Sequence, residues 1–229
     1  MIWCRVLNGK FGGEKMVDCN NPAYWDEVWR RWRHDDKITY LKAMADRANT
    51  KEYWDSVWTR PSRRVEKYSM QYAWWKVGEY KARSVLDVAC GNGRLLFGVK
   101  QIKPDAELFG IDISQVAIDR MKKEYGIDGA VMNAYEVDKL EKNFDFIVAN
   151  HLLEHLWCDE EFVRKCKSKL NPGGIFFAAV PNNCSSPEET EEHVRMYDEK
   201  MLYELLLKVF GNAEMKVIGN HLIGLAKNT

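Results

Sequence analysis

The sequence predicts a doubly wound α/β fold: a mostly parallel seven-stranded sheet with an antiparallel last strand, plus an N-terminal helical cap. Three observations predict it. From Ser84 onward, short apolar runs alternate with stretches of helical period, the pattern of parallel strands joined through helices that cover both faces of a sheet. The last two runs are separated only by Gly219-Asn220, and so short a link forces antiparallel pairing. Eight of the nine tryptophans lie before residue 80, several at helical spacing, so composition changes where the second pattern begins.

The elements follow in order. Trp25, Trp29 and Trp32 stand at i, i+4 and i+7 on one helical face, and Trp54 and Trp58 repeat the i, i+4 step. Asn21-Pro22 and Arg60-Pro61 punctuate these segments. Arg63 to Lys81 can form a longer helix. The phrase YWDEVW at Tyr24 returns as YWDSVW at Tyr53, with Glu27 exchanged for Ser56. Two copies are too few for a solenoid, which needs about three to bury a continuous core. Residues 1–80 therefore read as a helical cap extended by one unit, and 81–229 as the α/β domain. Within the cap, Tyr53, Trp54 and Trp58 are better placed as pocket walls than Trp25 and Trp29.

Strands are expected at Ser84–Ala89, Leu108–Ile113, Ala130–Asn133, Phe144–Ala149, Ile175–Val180, Glu214–Ile218 and His221–Ala226. Helices are expected over Arg94–Lys100, Gln115–Tyr125, the stretch after Ala149 up to Leu170, and Lys200–Phe210. Asn171-Pro172-Gly173-Gly174 reads as a turn.

Composition excludes several classes. The 229 residues carry 34 basic and 34 acidic side chains, with no net charge to favour a nucleic-acid partner. No apolar run is long enough to span a bilayer, and the first residues lack the apolar core of a signal peptide. Six cysteines are scattered without a C-x-x-C pair, which predicts free thiols in a reducing, cytoplasmic setting rather than a zinc ribbon.

The chemistry concentrates in LDVACGNGR, Leu86 to Arg94. A glycine-rich turn after the first strand lets a ligand approach the backbone. A dinucleotide site would use G-x-G-x-x-G to seat a pyrophosphate. Gly91 and Gly93 fit, but Leu96 fills the third place. Asp87 would repel a pyrophosphate and attract an ammonium or sulfonium. S-adenosylmethionine carries both cations and no phosphate. Asp112 ends the second strand about 20 residues further on, where a carboxylate can accept bonds from ribose hydroxyls.

Residues 84–183 resemble the Rossmann-like core of class I S-adenosylmethionine-dependent methyltransferases of the small-molecule type, similar to those of quinone biosynthesis. The pieces are LDVACGNGR, GIDIS, FDFIVANHLLEHL and LNPGGIFFAAVPNN in that order, with HVRMYDEKMLYELL beyond. The resemblance implies that Ala89, Cys90, Gly91 and Gly93 border the methionine part and that Asp87 meets its ammonium. Asp112 would hold the ribose, with Ile113 against the adenine. Asn133 and Ala134 would stand beside the adenine amino group, and Asn150 would line the methionine side. EYWDSVW occupies the place of an N-terminal helix that covers the site in such enzymes.

The resemblance implies methyl transfer by in-line displacement to an oxygen, nitrogen or carbon of a small molecule, which mainly requires alignment of the acceptor. An oxygen acceptor calls for a general base, and His151, His155 and His193 are the candidates. His193 follows an acidic stretch that reads as solvated surface, or as a flap carrying His193, Arg195 and Tyr197. HLLEH also fits the zinc-peptidase pattern H-x-x-E-H, but its position directly after a strand argues against that use. Some quinone-biosynthesis relatives hold a divalent cation hereabouts with acidic residues and a histidine; His151 replaces the first acid, and no metal is expected. The alternatives are a non-catalytic S-adenosylmethionine-binding scaffold and methylation of a macromolecule. Against the latter, Asn150 is not followed by the Pro-Pro-aromatic run of amino-methylating nucleic-acid enzymes.

Overall fold

A computed structural model describes residues 3–7, 14–18, 49–60, 67–182, 193–195 and 197–229. Tyr24 to Trp29, the first copy of the repeated phrase, lies outside them, as does the acidic stretch before His193. Among the described residues no helix is long and apolar enough to cross a membrane. Cys90, Cys158 and Cys166 are buried.

Strands β1 (Trp3–Leu7) and β2 (Glu14–Asp18) pair as an antiparallel hairpin separate from the main sheet. The helical pattern expected of residues 1–80 does not anticipate this hairpin. Two helices follow, α1 (Lys51–Thr59) and α2 (Lys67–Glu79). The α/β region then runs β3 (Ser84–Val88), α3 (Arg94–Ile102), β4 (Glu107–Asp112), α4 (Gln115–Tyr125) and β5 (Asp128–Val131). It continues with β6 (Phe144–Asn150), α5 (Asp159–Ser168), β7 (Leu170–Pro181), α6 (Glu199–Phe210), β8 (Glu214–Ile218) and β9 (His221–Lys227).

The seven strands are ordered β5-β4-β3-β6-β7-β9-β8. β3 to β7 pair in parallel, and β9 is antiparallel to both its neighbours. Successive side chains leave opposite faces of the sheet. Leu86, Ile147 and Phe176 therefore pack beneath α5 and α6, through Phe162, Leu202 and Leu206. Val85, Phe146 and Phe177 pack against α2, α3 and α4, through Val77, Leu96 and Met121. Each such buried side chain contributes about 1.5–3 kcal/mol.

Local chemistry sets the helix ends. The Ser114 hydroxyl accepts from Ala117 N–H at 3.1 Å and starts α4; Gly126, at φ +61°, ends it. The α4 and β8 bounds match the sequence expectation. Other bounds move by a residue or two, and the differences with a clear physical cause fall in three places. The third strand is Asp128–Val131, because Asn133 is taken up capping the 3₁₀ turn Ala134–Lys139. The expected helix after β6 is split into a 3₁₀ turn at Leu153–His155 and α5, since His151 takes φ +56° and cannot continue a right-handed helix. Asn171 to Gly174 belong to β7 across a register shift, tied to the C-terminal end by Gly173 N–H to Asn228 O and Asn228 N–H to Gly174 O.

Candidate active site

β3 is flanked by β4 on one side and β6 on the other, so successive connections diverge there. The crevice beyond their C-terminal ends is a cavity of about 550 Å³. Its floor is the turn after β3. Ala89 and Gly91 both sit at positive φ, +59° and +53°. Gly91 tolerates this freely; Ala89 does so at a cost of about 1–3 kcal/mol, the kind of strain found at binding sites. The turn is held by Cys90 N–H to Ile111 O and Gly93 N–H to Cys90 O, both 3.0 Å. Burial pushes the Cys90 thiol up, so it stays protonated.

Two acids stand over this floor. Asp112 is buried; its Oδ2 accepts from Gly91 N–H at 2.8 Å and its Oδ1 from Ser114 N–H at 2.9 Å. Burial nevertheless raises its carboxyl to about 6, against those two bonds. Asp87 is also buried, and burial with the Asp112 charge pushes its carboxyl well above the ordinary range. A cationic ligand would relieve this repulsion and a phosphate would worsen it.

On the far wall, β6 ends in Asn150, whose buried Oδ1 has no hydrogen-bond partner. The turn after it carries His151, Glu154 and His155. Glu154 is fully buried, with Oε1 3.2 Å from His151 Nδ1. Burial pushes its carboxyl up, but His151, His155 and His193 outweigh this and hold it below the usual range. The His155 and His193 rings meet edge to face, centroids 4.9 Å apart, and Trp54 also meets His155 edge to face, at 5.5 Å.

Helix α1 closes one side, and the letters of YWDSVW explain how. The Asp55 carboxylate accepts from the Ser114 hydroxyl at 2.5 Å and from Val116 N–H at 3.2 Å, seating α1 on the start of α4. Arg120 Nη1 donates to Trp58 O at 2.7 Å, fixing the other end. Val57 is buried, Trp54 reaches His155, and Trp58 lies on Gly91.

The residues expected at the site mostly meet on this cavity: Asp87, Ala89, Cys90, Gly91, Asp112, Ile113, Asn133, Ala134 and Asn150 line it, with His151, His155 and His193. Gly93 does not; a side chain there would strike Met121, so this glycine shapes the loop and its packing. The Asn133 oxygen expected to face an adenine amino group already accepts from Tyr135 N–H at 3.0 Å. Arg195 and Tyr197 do not form a flap over the cavity. Both turn to Asp159: Arg195 by an ion pair, and Tyr197 by donating its hydroxyl at 2.5 Å. Sequence patterns gave no sign of the role of Asp55, because its partners Ser114 and Val116 lie on a distant element.

Residues 79–221 match the family described as methyltransferase domain, which is more than half of the chain. The chain belongs to this family. The methyltransferase is similar to the mitochondrial ubiquinone biosynthesis O-methyltransferase of Saccharomyces cerevisiae, 30% identical over 179 residues, covering 75% of this chain and 56% of the relative. It is 28% identical to the ubiquinone biosynthesis O-methyltransferase of Alkalilimnicola ehrlichii, covering 70% and 65% respectively. The chain thus spans about half to two thirds of the length of the curated relatives it matches. In fold it resembles the N-methyltransferase NodS of Bradyrhizobium japonicum, solved with S-adenosyl-L-homocysteine: TM-score 0.60, 15% identity, 79% of this chain and 98% of that one.

Proposed function

We propose that this methyltransferase moves a methyl group from S-adenosylmethionine to a small-molecule acceptor. The observation that carries the reading is the pairing of Asp87 and Asp112 in one cavity with the open backbone of Gly91. Two acids that repel each other across a glycine floor suit a ligand bearing ammonium and sulfonium groups. Asp112 and Ile113 would hold its nucleoside part beside Asn133 and Ala134, and Asn150, with its unpartnered oxygen, would accept from the amino-acid part. When bound, the cofactor supplies an electrophilic methyl group on a good leaving group.

The chain's own residues then have to align the acceptor and exclude water. Trp54 and Trp58 supply apolar walls. His151, paired with Glu154, would take a proton from an acceptor hydroxyl, and that pairing supports the role. An oxygen acceptor agrees with the names of the curated relatives. Residues 1–80 serve in this reading as the cap, with α1 as its inner helix, and 81–229 as the cofactor-binding domain.

Calorimetric titration of S-adenosylmethionine, with NADH as control, tests the reading. Saturable binding of S-adenosylmethionine alone, lost in Asp112→Ala, is expected. Preference for NADH, or no binding of either, overturns it. Binding with no turnover across a broad acceptor panel would favour a non-catalytic scaffold.

A further inference from the structure

We propose that strand β8 is the docking edge for a second copy of this chain, whose own β8 adds to it antiparallel about a two-fold axis at Met215. The inference does not depend on the cofactor reading. β8 stands last in the strand order, and among the described residues it pairs with β9 alone. The outward N–H and C=O groups of such a strand are left to water or to another strand.

The charges along β8 select the partner. Its side chains alternate between the two faces of the sheet. Glu214 lies on the α2 face, where its carboxylate stands 3.6 Å from Lys76 Nζ, and Lys216, two positions on, shares that face. Both are exposed. Met215 lies on the other face, packed against the core beneath α6. In an antiparallel pair centred on Met215, each Glu214 stands opposite Lys216 of the other copy, so one two-fold axis makes two ion pairs.

A slip of two residues either way sets Lys216 against Lys216 or Glu214 against Glu214, and a slip of one turns the faces over. Charge therefore specifies the register. A lysine on an edge strand ordinarily deters strand addition. Here an identical strand running the other way supplies the glutamate that meets it.

Apolar surface flanks this edge on both faces. Tyr68 and Trp75 of α2 are 63% and 58% exposed, on a helix that lies beside β8. A methyl group built on Gly219, just past the end of β8, would stand 3.9 Å from the Tyr68 ring. The Trp75 ring centroid is 4.8 Å from Lys76 Nζ, next to the Lys76–Glu214 pair. On the opposite face Val217 is exposed as well. Joining the two edges brings these surfaces of the two copies together and removes them from water. The chain's zero formal net charge sets no overall repulsion against the encounter.

The test is sedimentation velocity of the full chain at concentrations from about 1 to about 100 μM. A species of twice 26.7 kDa that grows with concentration is expected, weakening as added salt screens the two ion pairs. Lys216→Glu turns both pairs repulsive and should weaken association more than about tenfold while leaving the circular dichroism spectrum intact. Adding Glu214→Lys to it exchanges the signs and should restore association. Trp75→Ala should weaken it too. A chain that stays monomeric throughout, or a dimer that Lys216→Glu leaves unchanged, overturns the assignment. So does a monomer that binds phosphatidylglycerol vesicles and loses that binding in Trp75→Ala, which would give this face to a lipid surface. Should the double variant fail to fold, Lys216→Glu and the salt dependence decide.

Discussion

The indole of Trp58 lies so close on Gly91 that a methyl group built on that glycine would overlap ring atoms Cζ2 and Cη2. The cap thus touches the floor at the atom where a ligand must approach. Trp58→Ala should weaken S-adenosylmethionine binding roughly tenfold, the worth of about one buried apolar contact surface. Calorimetry measures it; unchanged affinity would remove Trp58 from the site. Gly91→Ala adds the overlap to an unfavourable positive φ and should lower stability by about 1–3 kcal/mol as well as abolish binding.

Asp112 makes the protein sensitive to pH in an uncommon direction. Its carboxyl sits at about 6 in the folded chain, above the ordinary 3.8. Between these values the native state keeps a proton that the unfolded chain has released, so stability falls as pH rises through that window and is full below it. The loss is up to about 3 kcal/mol. Cofactor affinity should move oppositely, tightening as pH rises through about 6 and the carboxylate forms. Thermal melts and calorimetry in buffers of different ionisation enthalpy check both; binding without proton release near pH 6 would contradict the assignment.

Asp55 is predicted to be the main anchor of α1. Burial pushes its carboxyl up, but the bonds from Lys51, Ser114 and Val116 prevail and hold it at about 2. Asp55→Ala removes charged hydrogen bonds to the start of α4 and should cost about 1–3 kcal/mol in denaturant melts, with weaker cofactor binding. Lys51→Ala touches only an exposed partner of the same carboxylate and should cost less than about 1 kcal/mol.

Much of this architecture is legible in the linear sequence. Gln115 to Tyr125 can be read to the residue because Ser114 and Gly126 mark its ends. The strands can be read because their apolar runs end in turn residues. The cofactor-side residues are legible for a related reason: a glycine turn and acids at strand ends are local features. The far wall is not local. His193 stands beside Glu154 although 39 positions separate them, through the bond of Val194 N–H to Glu154 O, and the left-handed turn at His151 breaks a stretch whose pattern is helical. Asp55 finds Ser114 from 59 positions away. No spacing rule reports such meetings.

Gly98 offers a control away from the cavity. A glycine within a helix usually gains about 1 kcal/mol on change to alanine. Here the new methyl would overlap the Trp74 ring, whose Nε1 donates to Leu95 O at 2.8 Å. Overpacking should prevail, and Gly98→Ala should lower stability by about 1–3 kcal/mol without altering cofactor affinity. A more stable variant would show that α2 and α3 can separate freely.

Ser56 is the one letter of YWDSVW that differs from YWDEVW. It is exposed, and its hydroxyl bonds only Tyr53 O within its own helix. The body of the protein is met by Trp54, Asp55, Val57 and Trp58, which the two phrases share in kind. In the second copy the one letter that varies therefore faces water, while the letters that meet the body are ones the first phrase also spells. Ser56→Glu converts one into the other, and the seat on α4 would not register the exchange.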